Sequence, residues 1–353
     1  MAAGRAGSTT ACMGSQTNAA LPDGLEVGGY RIVRKIASGG FSIVYLAQDA
    51  DGESFAIKEY LPSTLVRRSA GELQPVVPAD SLSTYRNGLK CFFEEGRALA
   101  RILHPNVVRV VNFFRANETV YLVMAYEEGR SLQETILRSR GREGRVVIAE
   151  RHVRRIFSDA MNGLREVHAN RMLHLDLKPA NIYLRLDGSP LLLDFGAARR
   201  TLTHDAPRLF PMYTPGFAAP ELYRKPQDLG PWTDVYGIGA SLFACMAGSP
   251  PQPADQRETG DRMPELLASL QGAYSDALVE VVDACLRLDP LQRPQSVFAV
   301  QRTLRGSDAA AAEEEAPRTQ GLARWIDTIA GRFGARRRVG EETVPTNTRG
   351  RSR

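Results

Sequence analysis

The chain has 353 residues, is 43% hydrophobic and carries a formal net charge of +5. That apolar content can fill one large core, and the charge excess is too mild to indicate nucleic-acid binding. Cys12, Cys91, Cys245 and Cys285 are scattered with no Cys-x-x-Cys pair, which argues for reduced thiols in a cytosolic setting over disulfides or zinc, and no apolar stretch reaches the roughly 18 to 20 residues that cross a bilayer.

In chain order, residues 1–28 hold Gly, Ser, Thr and Ala without the apolar core of an export signal, so they are expected to be disordered and unexported. Ile36-Ala37-Ser38-Gly39-Gly40-Phe41-Ser42-Ile43-Val44-Tyr45 then lies between two strand-like runs. Glycines there let backbone N–H groups approach phosphate oxygens with no Cβ in the way. Phe55-Ala56-Ile57-Lys58 reads as a β-rich run ending in one cation. The connection from Glu59 to about Ser83, with Leu61-Pro62, Arg67-Arg68 and Pro75-Val76-Val77-Pro78, is long enough to be an insertion; such loops are functional or mobile, and a packed ornament is the equal alternative.

Tyr85, Leu89, Phe92, Phe93, Leu99 and Leu103 recur at helical spacing, which predicts a helix carrying the adjacent acids Glu94 and Glu95. Neighbouring side chains on a helix point about 100° apart, so only one of the two can face a site. Val120-Tyr121-Leu122-Val123-Met124 is a buried-strand pattern running into Ala125-Tyr126-Glu127-Glu128-Gly129, and Ile238–Ala247 is a buried-helix candidate. After Gly306 the composition changes to an Ala-Glu segment, 308–315. A stretch over 319–339 follows, with Leu322, Trp325, Ile326, Ile329 and Phe333 on one helical face and Arg324, Arg332 and Arg336-Arg337-Arg338 beside it. That pattern suits a peripheral contact with anionic membrane, or docking on a protein surface. The polar end, with Thr343, Thr346 and Thr348, offers accessible autophosphorylation sites that a phosphothreonine-binding module could read.

The most informative residues are His174-Leu175-Asp176-Leu177-Lys178-Pro179-Ala180-Asn181, followed by Leu193-Asp194-Phe195-Gly196 and Ala219-Pro220-Glu221. Moving a phosphoryl group to a hydroxyl needs a carboxylate to orient that hydroxyl, a cation near the transferring phosphate, and hard oxygen ligands for Mg²⁺. Asp176, Lys178, Asn181 and Asp194 suit those tasks.

With these motifs in this order, the chain resembles the bacterial-type (Hanks-type) serine/threonine protein kinases over roughly residues 30–304. The resemblance implies a two-lobed α+β fold: a kinase domain over 29–305, with an antiparallel small lobe at 29–125 bearing one main helix and a mainly helical large lobe at 130–305, then a tail from 306. It implies ATP with Mg²⁺, or Mn²⁺ in its place, and protein substrates bearing Ser or Thr. Asp176 would orient the substrate hydroxyl, Lys178 would touch the γ-phosphate, and Asn181 and Asp194 would hold the metal. Ile36 to Ser42 would form the phosphate loop, although only Gly39 falls on a usual glycine position and Ala37 and Ser42 replace the outer two. Val44 and Ala56 would flank the adenine. Lys58 would anchor the α- and β-phosphates with Glu95 as its partner, Met124 would be the gatekeeper, and backbone groups near Ala125 and Glu127 would meet the adenine edge.

The same resemblance pairs Glu221 with Arg293 and Asp234 with the catalytic-loop backbone, and puts Thr214 beside the substrate hydroxyl. Leu175 stands where many kinases carry an arginine that binds a phosphorylated activation loop, so phosphorylation at Thr201 or Thr203 is not expected to be a strict on-switch. A catalytically weak pseudokinase acting as a nucleotide-binding scaffold is the alternative, motivated by Ala37, Ser42 and Leu175; a small-molecule phosphotransferase and a membrane-tethered interaction protein rank below it.

Overall fold

The computed structural model describes residues 16–141, 148–195, 199–200, 213–224 and 228–306. The small lobe is a six-stranded antiparallel sheet in the order β1-β2-β3-β4-β6-β5. Its strands are β1 (Glu26–Val27), β2 (Tyr30–Gly39), β3 (Ser42–Gln48), β4 (Ser54–Tyr60), β5 (Val110–Ala116) and β6 (Thr119–Ala125), with helix α1 (Leu82–Leu99) packed against it. In β3 the alternation is strict: Ile43, Tyr45 and Ala47 are buried while their neighbours are half-buried, as a period of two on a pleated strand requires.

Helix α1 buries Tyr85, Gly88, Leu89, Phe92, Gly96 and Leu99, one face at i, i+3, i+4 and i+7. Two glycines set how closely it lies on the sheet. A β-carbon at Gly88 would overlap the Tyr60 hydroxyl, and one at Gly96 would overlap the Leu122 side chain. The helix stops at Leu99 and does not run on to Leu103, which is 76% exposed. There the chain turns toward His104-Pro105, and a proline ring restricts the residue before it to extended geometry.

The large lobe begins with β7 (Gly129–Ser131) and α2 (Leu132–Arg138), which starts on a capping box between Ser131 and Glu134. It continues with α3 (Glu150–Ala169), β8 (Met172–Leu173), β9 (Ile182–Arg185), β10 (Pro190–Leu192) and β11 (Arg199–Arg200), and with α4 (Pro220–Arg224) and α5 (Pro231–Ala247). Helices α6 (Ala254–Arg257), α7 (Met263–Ala268), α8 (Asp276–Cys285) and α9 (Val297–Gly306) complete it. Helix α5 is buried on every side from Thr233 to Met246, which is why its sequence reads as a nearly unbroken apolar run. No helix among the described residues is long and apolar enough to cross a membrane. The stretch 319–339 and the threonines after it lie outside the described residues.

Residues 16–28, expected to be disordered, pack on the small lobe instead. Leu21 and Val27 are buried in its core, and the Leu21 N–H donates to the Tyr45 hydroxyl at 3.1 Å. The insertion is likewise folded, with Leu61, Leu65 and Val66 buried. Both are tied to one charge pair. The guanidinium of Arg68, in the insertion, donates to the Glu59 carboxylate at 2.8 Å, with both side chains fully buried. The hydroxyls of Tyr45 and Tyr121 also donate to Glu59, at 2.8 and 2.9 Å.

Such a pair stabilises only while both members stay, because either one alone is an uncompensated buried charge. Arg68→Met is therefore expected to cost about 3–5 kcal/mol in urea unfolding. The Glu59→Gln, Arg68→Met double variant should lose less; a loss in the double variant equal to or above that of the single would contradict this account.

Candidate active site

The loop between β8 and β9 carries the central carboxylate, and its shape is imposed from below by α5. Asp234, one turn into α5 and 1% exposed, accepts the backbone N–H groups of His174 and Leu175, both at 2.8 Å, and lies 2.7 Å from Nε2 of His168. Burial alone would push its carboxyl upward, but hydrogen bonding and charge from His168 and the loop hold it below the ordinary carboxylate range. Leu175 is bent into the left-handed region at φ 64°, and Asp176 follows it, half-buried at the cleft.

Around Asp176 the polar groups converge. Nζ of Lys178 donates to Asp176 Oδ2 at 2.7 Å and to Thr214 Oγ1 at 2.8 Å, and the Thr214 hydroxyl donates to Asp176 Oδ1 at 3.1 Å. The Asn181 amide nitrogen donates to the Asp176 backbone oxygen at 2.9 Å and to Oδ2 at 3.1 Å. Asp176, Lys178, Thr214 and Asn181 thus form one connected cluster. Deeper in the large lobe, Arg293 and Glu221 make a bidentate pair at 2.8 and 2.9 Å, both buried. The expected Asp234 and Glu221 partners are both in place.

On the opposite wall, the antiparallel register sets Val44 beside Lys58 and Ala56 beside Met124. Ile36 to Gly39 end β2, Gly40 and Phe41 form the turn, and Ser42 opens β3. At the exit of β6, the Ala125 N–H is taken by the Arg109 carbonyl at 3.0 Å, and the Glu127 carboxylate pairs with Arg185 at 3.1 Å.

Lys58 departs from expectation. Its ammonium is ion-paired and hydrogen-bonded to Asp194, and Glu95 makes no ion pair with it within 4.0 Å. Burial opposes the charge on Lys58, yet Asp194 and Glu95 raise it overall. Asp194, at φ 57° and with its side chain 45% exposed, is held low by Lys58 against the effect of burial. Glu95 is the complement: burial pushes its carboxyl up to about 8, and the field of Lys58 only partly offsets that. Glu94, the rival acid, is exposed and bonded to Arg97 at 2.7 Å. The helix therefore turns Glu95 inward, but in this conformation Lys58 is committed to Asp194.

Sequence reasoning missed His168, Gln16 and Ser63. His168 had a signal in its position, i+4 from Leu164 on the buried face of α3. The other two had none, because their contacts are far apart in sequence.

The family described as protein kinase domain matches residues 30–304. The serine/threonine-protein kinase STE20 of Candida glabrata is 27% identical over 272 residues, covering 75% of this chain and 26% of that protein. Serine/threonine-protein kinase pkn3 of Myxococcus xanthus is 28% identical over 297 residues, covering 79% and 50%. This chain thus spans a quarter to a half of the length of these curated relatives. Among solved structures, the apo form of PpkA-294 is 33% identical with a TM-score of 0.69, covering 81% of this chain and 99% of that one.

The raised Glu95 carboxyl yields a test. With a folded value of about 8 against 4.5 in the open chain, the folded state binds the proton more tightly, so this group's contribution to stability falls as pH rises through that window. At pH 7 Glu95 is mostly neutral in this conformation, and Glu95→Gln should change stability by no more than about 0.5 kcal/mol. A larger loss in urea unfolding at pH 7 would show that Glu95 is ionised and paired.

Proposed function

Because the chain belongs to the protein kinase family, in its bacterial serine/threonine branch, we propose that it transfers the γ-phosphoryl group of Mg-ATP to serine and threonine hydroxyls of proteins, itself included. The observation that supports this most is the cluster around Asp176, in which one carboxylate meets Lys178, Thr214 and Asn181 at hydrogen-bond distance.

In this reading Asp176 orients the attacking hydroxyl and accepts its proton as the bond to phosphorus forms. Lys178 donates to that carboxylate and presents a positive charge to the transferring phosphoryl group. Thr214 stands at Asp176 Oδ1 and shapes the approach of the substrate side chain. Lys58 is the cation for the α- and β-phosphates, and Ile36 to Ser42 cover them. The adenine lies between Val44 and Ala56, with its edge toward backbone near Ala125 and Glu127 and with Met124 behind it.

The donor set also fits the metal. Asn181 commits its amide nitrogen to Asp176 and offers the oxygen, and Asp194 is a partly exposed ionised carboxylate. Such hard oxygens suit Mg²⁺, or Mn²⁺ in its place, shared with phosphate oxygens. When bound, the cation would neutralise charge on the phosphates. The scaffold alternative is not favoured, since no polar group that transfer requires is replaced.

For the tail, the sequence of 319–339 supports a peripheral contact with anionic membrane by a cytoplasmic protein. Thr343, Thr346 and Thr348 would be autophosphorylated and read by a phosphothreonine-binding module.

Incubation with labelled Mg-ATP tests the main reading. Asp176→Asn and Lys58→Met should each lose at least about a hundredfold in phosphate incorporation, the scale of a missing general base or electrostatic contact. Incorporation by Asp176→Asn equal to that of the unaltered chain would overturn it. Since Leu175 is buried and cannot bind phosphate, the Thr201→Ala, Thr203→Ala double variant should keep most of the activity; near-complete loss would make loop phosphorylation a strict switch.

A further inference from the structure

Three consecutive carbonyls at the tip of the β2–β3 hairpin are held by groups from outside the hairpin. The side-chain nitrogen of Gln16 donates to the Gly39 oxygen at 3.1 Å and also to the Leu61 oxygen at 2.8 Å. Ser63 donates to the Gly40 oxygen twice, from its N–H at 2.8 Å and its hydroxyl at 3.1 Å. The Leu61 N–H donates to the Phe41 oxygen at 2.8 Å. Leu61 and Ser63 belong to the insertion, and Gln16 precedes the part of the chain that matches the family.

Gln16 is itself held in place. Its amide oxygen accepts from the Asn18 backbone N–H at 3.1 Å and from the Asn18 side chain at 3.0 Å. The Asn18 side-chain oxygen in turn accepts the Arg68 N–H at 2.7 Å, and the Ala19 N–H donates to the Arg68 carbonyl at 3.0 Å. The 16–19 strap is thus laced to the residue whose guanidinium clamps Glu59, the neighbour of Lys58 in β4. In a trans peptide the C=O of one residue and the N–H of the next point in opposite directions. Holding the Gly39 and Gly40 carbonyls on the side of the strap and insertion therefore turns the N–H groups of Gly40 and Phe41 the other way, as a nest for anionic oxygens requires.

We propose that Gln16 and Ser63 are positioning residues for the phosphate loop, so that the segment before the kinase match and the insertion after β4 are working parts of the ATP site. The proposal rests on the reading of 36–42 as that loop. It also accounts for a loop that keeps only Gly39 at a usual glycine position: external donors fix its shape where glycine freedom is reduced.

The test uses the full chain, with the Kd of Mg-ATP measured by calorimetry beside KM for ATP, kcat and the thermal midpoint. Gln16→Glu preserves shape but sets a carboxylate against two carbonyl oxygens, and should raise both Kd and KM for ATP by about tenfold; Gln16→Ala should raise them about threefold, the range for one or two lost hydrogen bonds. Changes in kcat and thermal midpoint should be small. Ser63→Ala should weaken nucleotide binding about twofold to threefold, and Ser63→Thr, which keeps the donor, should restore it. Unchanged Kd and KM in Gln16→Glu would overturn the proposal, as would a loss confined to kcat and the thermal midpoint, the mark of a purely structural role. If the unaltered chain bound no nucleotide, the reading of the site itself would fall and this proposal with it; if it bound nucleotide and the Gln16 variants matched it, only the proposal would fall.

Discussion

The carboxylate of Asp234 is the constraint on which the site's geometry depends. A charge 1% exposed is tolerable only if its oxygens are satisfied, and here the donors are the N–H groups of His174 and Leu175, with the His168 ring beside them. To present two successive N–H groups to one carboxylate the backbone must curl, and Leu175 takes the left-handed conformation that L-residues avoid. That strain is sustained because releasing it would strand the carboxylate. The curl ends at Asp176, so the half-buried carboxylate at the cleft is aimed by a fully buried one beneath it.

Against this fixed floor, the upper wall has a choice of partners. Lys58 lies within the field of both Asp194 and Glu95, and here it is bonded to the first. A lysine so committed leaves Glu95 in a low-dielectric position with no counter-charge in contact, and its carboxyl rises accordingly. In the proposed function, phosphates would compete for Lys58 and a metal for Asp194. Placing Lys58 against Glu95 would then require Glu95 to lose a proton near neutral pH.

How much of this the sequence disclosed depended on the range of the interactions. The cluster in 174–181 was legible because its contacts are local: Asp176, Lys178 and Asn181 meet within six residues. Lys58 was legible as the only cation in an apolar strand run, and Asp234 and Arg293 through the kinase resemblance. The order in 16–28 was not. Its small polar residues read as disorder, whereas its structure comes from bonds spanning 23 to 50 residues, such as Gln16 to Gly39 and Asn18 to Arg68. The Lys58–Asp194 bond of this conformation was not legible, because spacing reports which acid faces inward but not which anion the lysine holds.

Strand β4 shows why insertion and strap matter to a site they do not line. Successive side chains on a strand point to opposite faces, so Lys58 and Glu59 send two buried charges in opposite directions. Lys58 reaches Asp194 at the cleft; Glu59 meets Arg68, Tyr45 and Tyr121 behind the sheet. Tyr60, next in line, stacks on Tyr85 at 5.7 Å and lies 5.4 Å from Phe92 in α1. Three consecutive residues thus bind the strand to the cleft, to the insertion and to the helix that carries Glu95. Since Arg68 also fastens the 16–19 strap, a shift of β4 that moved Lys58 would strain all of these attachments together. The strap, the insertion, the sheet and helix α1 are thus joined through one strand, and the carbonyls of the β2–β3 turn are bonded to the first two of them.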